Sequence, residues 1–163
     1  MEVVRIATVR QLNRFISMAD SLYRDDPFYV PYMRGDLKKT LKTLLFEEQT
    51  YTALAVEENG RYLARVLFTV GSSKQLALER CGFFSHFECV NDPACADLLL
   101  SEMCRLLKER GVPYVEGTYF PHDQDNRRGV LVEGFGEEPM ILTSYKPTLF
   151  QGPAGGLRLS QGL

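Results

Sequence analysis

The chain has 163 residues, about one domain at roughly 100–200 residues per domain. With 45% hydrophobic and 25% charged residues it is neither disordered, fibrous nor a disulfide-dense miniprotein. Its 19 Lys and Arg against 21 Asp and Glu give a net charge of −2, so there is no basic excess for nucleic-acid phosphates. Taken in chain order, Val3–Val9 is β-branched and reads as a strand. Thr8 is an N-cap for a helix over Arg10–Leu22, where Leu12, Phe15, Ile16, Ala19 and Leu22 recur at helical spacing. Two prolines, Pro27 and Pro31, exclude a helix from Asp25–Tyr32, which reads as an extended aromatic loop. Asp36–Phe46, with Leu37, Leu41, Leu44 and Leu45, is a second amphipathic helix.

Asn59-Gly60 between Tyr51–Glu57 and Arg61–Val70 predicts a tight hairpin. Gly71–Ala77 reads as a connector, and Gly82–Val90 as a long aromatic strand. Asn91 or Asp92 caps the next helix, Pro93 suits its first turn, and Gly111 ends it. Within it Cys95, Leu99, Met103, Leu106 and Leu107 form one apolar stripe. Pro113–Thr118 is a strand, Asp125–Glu133 a short helix and Met140–Tyr145 a strand. The expected organisation is one domain over residues 1–150 and a flexible tail over 151–163. The order β-α-α-β-β-β-α-β-α-β predicts an α/β or α+β class with a mixed, mostly antiparallel sheet. The helix between Gly82–Val90 and Pro113–Thr118 should carry a crossover that sets those two strands parallel and adjacent.

The four cysteines, Cys81, Cys89, Cys95 and Cys104, lie in apolar or helical stretches and show no zinc-ligand spacing. With only two histidines in the chain, no metal is expected; the thiols read as buried and free. No basic segment followed by a long apolar run opens the sequence, and no run is long enough for a spanning helix. The expected setting is therefore the cytoplasm, with no membrane contact.

The element order resembles the GNAT superfamily of acyl-CoA N-acyltransferases. Gly60–Val66 resembles that fold's hairpin strand, Cys81–Glu88 its central fourth strand, and Leu98–Gly111 the helix that follows. Gly129–Phe135 ends in the Gly-Phe that closes its fourth helix. More narrowly, Gly82-Phe83-Phe84, Gly129–Phe135, Pro139–Leu142 and Tyr145-Lys146-Pro147 are similar to a family of longer bacterial GNAT-like proteins, over about residues 28–150. The resemblance implies acyl transfer from acetyl-CoA or another acyl-CoA to a small-molecule amine, by a homodimeric protein. The alternative is a non-catalytic ligand-binding or protein-interaction module on the same fold.

Amide formation from a thioester needs a base for the amine and an acid for the leaving thiolate. A period of two places Phe84, His86, Glu88 and Val90 on one strand face and Phe83, Ser85, Phe87 and Cys89 on the other. His86 and Glu88 are the candidate acid–base pair, with Glu88 as the base. The resemblance places an acid tyrosine four residues before the closing Gly134, where this chain has Val130; Tyr145 and Tyr119 are the stand-ins. It also places the CoA pyrophosphate at Cys89–Asp97, with Cys89, Val90, Asn91 and Ala94 as the candidate contacts. That junction has no glycine and no arginine but carries Asp92, Pro93 and Asp97. Phe28, Tyr29, Tyr119, His122 and Asn126, from the aromatic loop and from the loop after Pro113–Thr118, are the candidate acceptor-binding residues.

Overall fold

The computed structural model describes residues 1–74, 77–118 and 120–122. The chain opens with strand β1 (Glu2–Arg5) and turns at Thr8 into helix α1 (Val9–Leu22). Thr8 is extended and closes a capping box with Gln11, which accounts for a helix start one residue earlier than apolar spacing alone gives. Helix α2 (Arg34–Lys42) has Asp36 in its first turn and Lys39 and Lys42 in its last, matching the helix dipole. It widens into a π-type turn over Thr43–Glu47 that keeps Leu44 and Leu45 buried.

Strands β2 (Tyr51–Glu58) and β3 (Arg61–Ser73) form the expected hairpin. Asn59 and Gly60 take φ of 48° and 75°, the left-handed pair that a two-residue turn requires. Strand β4 (Leu78–Cys89) follows; β3 runs on to Ser73, into the segment expected as a connector, and β4 begins four residues before the expected Gly82. Helix α3 (Pro93–Glu109), capped by Asp92, leads to strand β5 (Val115–Gly117). Gly111 at φ 69° ends the helical path, as its sequence position predicts.

The sheet order is β1-β2-β3-β4-β5. β1 to β4 are antiparallel, and β5 lies parallel to β4 through the α3 crossover. The class is the expected mixed, mostly antiparallel α/β sheet with helices on both faces. Buried residues fall into two clusters on its two sides. One unites α1, α2 and the π-type turn with Ala53, Ala55, Leu67 and Phe120. The other packs Cys95, Leu99, Met103 and Leu107 of α3 on Val56, Ala64, Val66 and Phe68. Asp125–Glu133, Met140–Tyr145 and the 151–163 tail lie outside the described residues.

Candidate functional site

Two features of β4 build the site. The first is a bulge. Arg65 pairs with Glu88 and Leu67 with Ser85, so three steps on β4 face two on β3, and His86 adopts φ 51° to accommodate the extra residue. A bulge shifts the phase of the strand by one, which corrects the alternation expected for this segment. Phe84 faces α3, across from Phe68, whereas Glu88 faces α1, across from Arg65. Phe87 packs on the α3 side, and Ser85 shares the face of Leu67. His86 and Glu88 still point to the same side, because the bulge lies between Phe84 and both of them.

The second feature is a fork. Among the described residues β5 pairs with β4 over Gly82↔Val115, Phe83↔Glu116 and Phe84↔Gly117, and β4 then runs on to Cys89. Among the described residues that pairing ends at Phe84 and Gly117, just before the bulge.

Below the bulge sits a buried charged group. The Arg65 side chain is 0% exposed and Glu88 4%. Arg65 Nη1 donates to the carbonyls of Phe15 (2.6 Å) and Ile16 (3.1 Å) in α1. Its Nη2 lies 3.9 Å from Glu88 Oε1. Glu88 Oε2 accepts a short hydrogen bond from the Tyr23 hydroxyl. Burial, then the negative charge of Glu88, push the Tyr23 phenol above its ordinary range, so it stays a donor. The Tyr29 ring packs tilted against Tyr23, centroids 5.0 Å apart, and its hydroxyl donates to Asp20 Oδ1 at 2.9 Å. Asp20 in turn pairs with Arg34 at the rim. Burial and the bond to Asp20 hold the Tyr29 phenol up as well.

His86, 7% exposed, stands in an aromatic frame. Tyr32 stacks on it at 5.4 Å and Phe120 meets it edge-on at 4.8 Å. Ser85 Oγ lies 3.1 Å from its Nδ1 and fixes the ring plane. Phe120 continues to the exposed His122 (5.4 Å) and to Tyr51 (5.9 Å). The frame therefore links the α1–α2 loop, β4 and the segment after β5.

Of the residues chosen from sequence, Tyr29, His86 and Glu88 gather on the α1 side, with His122 reached through Phe120. Phe28 is half-buried in the same loop and its amide donates to Asp26 Oδ1 at 3.0 Å. The Cys89 thiol lies on the opposite face, in the α3 core, where burial pushes it up to about 12. Val90 N donates to Leu63 O (2.9 Å), Ala94 N to Asp92 Oδ1 (3.0 Å), and Asn91 is exposed. Tyr119, Asn126 and Tyr145 lie outside the described residues. Period and spacing missed Tyr23, Tyr32 and Arg65. A signal for Arg65 was present: it is a lone cation inside the apolar run Ala64–Phe68.

No family model matches the chain, and no curated protein matches it. Solved structures do. A predicted acetyltransferase from Clostridium acetobutylicum, determined with acetyl-CoA, is 12% identical with a TM-score of 0.53, over 71% of this chain and 78% of that one. An aminoglycoside acetyltransferase from an uncultured soil metagenomic sample, in complex with sisomicin, is 11% identical with a TM-score of 0.55, over 76% and 80%. A GCN5-related N-acetyltransferase from Ralstonia eutropha is 16% identical with a TM-score of 0.54, over 71% and 80%. The chain has the GNAT acetyltransferase fold. At these identities the GNAT likeness is one of architecture, and the chemistry rests on the site. Among the described residues no helix of this GNAT fold is long and apolar enough to cross a membrane, and no three ligating side chains are grouped to hold a metal ion.

Proposed function

We propose that the protein is a GNAT-type N-acyltransferase that moves an acyl group from a CoA-type thioester to a small-molecule amine. The observation that carries this reading is the bulge at His86, placed where β5 leaves β4. A pantetheine arm is an extended chain with two amides, and it suits a gap between parting strands as an added strand would. A thioester at the inner end of that gap reaches the His86–Glu88 side of the sheet.

The chemistry then needs one proton shuttle. The amine nitrogen bonds to the thioester carbonyl carbon and its proton passes to His86. The C–S bond breaks, and the imidazolium returns the proton to sulfur, giving amide and free thiol. Glu88 supplies fixed negative charge near the imidazolium. This exchanges the roles expected from sequence, for a physical reason. Protonating Glu88 would strand the buried Arg65 guanidinium without its counter-charge. Tyr32 and Phe120 add ring faces and edges that orient the imidazole.

The test follows thiol release from acetyl-CoA and acetyl-pantetheine against a panel of primary amines, with mass detection of the acetylated product. Amine-dependent release that falls at least about 100-fold in His86→Gln supports the reading, since general base catalysis contributes about that much. No amine-dependent release from either thioester sinks it and favours the binding-module alternative.

A further inference from the structure

The GNAT fold implies an acyl-CoA donor, and the two halves of that molecule meet different chemistry here. The diphosphate half asks for backbone N–H groups at a helix N-terminus, helped by the dipole and by cationic side chains. The helix at that place is α3, and its junction with β4 is already hydrogen-bonded to itself. Val90 N donates to Leu63 O at 2.9 Å and Asp92 N to Val90 O at 2.6 Å. Ala94 N donates to Asp92 Oδ1 at 3.0 Å, and Ala96 N to Asp92 O at 3.2 Å. Pro93, at the first helical position, has no N–H to give. The Asp92 carboxylate thus occupies the position in which a phosphate would sit, and it carries the same sign of charge.

The surroundings do not compensate. Asp97 is exposed one turn along α3. The Met1 ammonium, whose charge acts on Cys95 in the first turn of α3, is 3.2 Å from Glu58 Oε1 and so already paired. A diphosphate placed here would displace a native cap and face two or three carboxylates.

We propose that this protein recognises its acyl donor by the pantetheine arm alone, and that Asp92 excludes the nucleotide diphosphate from the α3 N-terminus. The donor chemistry is an acyl-pantetheine thioester; in acyl-CoA the nucleotide half adds no affinity. This inference rests on the acyltransferase reading and deepens it, because Asp92 becomes a specificity-determining residue of the same site.

Direct binding to the full-length protein tests it, with acetyl-CoA and S-acetyl-pantetheine as probes, titrated by calorimetry and followed by the rise in melting temperature that any native-state ligand produces. The expected dissociation constants agree within about 3-fold, because no charge-assisted hydrogen bond to phosphate separates the two probes. Raising salt from about 50 to 200 mM should leave acetyl-pantetheine unchanged and tighten acetyl-CoA, since screening relieves like-charge repulsion. Asp92→Ser keeps a capping oxygen and removes the charge. It should tighten acetyl-CoA by about 3–10-fold with acetyl-pantetheine unmoved, and unchanged unfolding of the variant shows that the cap survives. Acetyl-CoA binding more than about 30-fold tighter than acetyl-pantetheine, weakening with salt and indifferent to Asp92→Ser, overturns the inference and leaves the acyltransferase reading standing. Failure of both probes to bind at millimolar concentration removes the reading and the inference together.

Discussion

The two faces of the sheet are built on different principles. The α3 face is mostly apolar in its buried centre: Leu99, Met103, Leu107, Val56, Val66 and Phe68 fill it, with Thr52 the buried polar side chain beside Phe68. Burial alone stabilises such a face, and nothing in it selects one arrangement of charge. The α1 face buries Arg65, Glu88, His86 and Ser85 among its aliphatic residues. Desolvating an arginine and a glutamate costs several kcal/mol, and their mutual attraction repays it only with good geometry. Here Nη2 and Oε1 are 3.9 Å apart, and Arg65 Nε and Nη2 have no hydrogen-bond partner among the described residues. A chain under selection for stability alone would fill that side with leucine, so the comparison assigns packing to one face and chemistry to the other.

The difference between the faces is largest at Arg65. Arg65→Met leaves Glu88 buried without its counter-charge, and urea unfolding should show a loss of about 3–5 kcal/mol. The double variant Arg65→Met with Glu88→Leu should recover most of that, because a buried pair replaced as a unit is near neutral. On the α3 face Leu99→Ala should cost about 3 kcal/mol through its cavity, with no neighbouring substitution to rescue it and no change in donor binding. If Arg65→Met and its double variant prove equally unstable, the α1 face is ordinary packing and the contrast fails.

The fork is a narrower target. A Cβ at Gly117 would overlap the Phe84 ring, which packs on the α3 side where β5 leaves β4. Gly117→Ala should therefore push β5 from β4 and destabilise by about 1–3 kcal/mol. Acetyl-pantetheine binding should weaken more than the stability loss explains, measured at a temperature where both proteins are folded. Equal binding by the variant would separate the fork from the donor site.

Much of this arrangement was legible in the sequence, and the limits have physical causes. Thr8, Asn59-Gly60, Asp92-Pro93 and Gly111 are local signals, each set by a backbone need within a few residues, and each marks its element correctly. The bulge at His86 was not legible. A period-two count has no way to register an extra residue that only the pairing with β3 reveals. Tyr23 was hidden for a similar reason. It caps α1 at the edge of the apolar stripe, and its partner Glu88 lies 65 residues away. His86 and Glu88 emerged as a pair because neighbours on one strand share a local frame. Their split of roles depended on Arg65, on another strand.

High pH distinguishes the faces by the order in which they fail. Burial raises Cys89 on the α3 face from 9.0 to about 12, and raises Cys95 and Cys104 in the same direction. Tyr23 and Tyr29 on the α1 face are also raised, from 10.0. In each case the native state holds a proton that the unfolded chain releases at its ordinary value. Stability from these groups is complete below that value and is lost as pH rises past it. The thiols of the α3 face therefore begin to cost stability near pH 9, the phenols of the α1 face about one pH unit later. Each proton contributes at most about 1.4 kcal/mol per pH unit. Melting temperature followed from pH 7 to 11 should fall with a first break near 9. Cys89→Ala should soften that break and leave the later one, and Tyr23→Phe should do the reverse. A single break common to all three proteins would mean that the two faces titrate as one body.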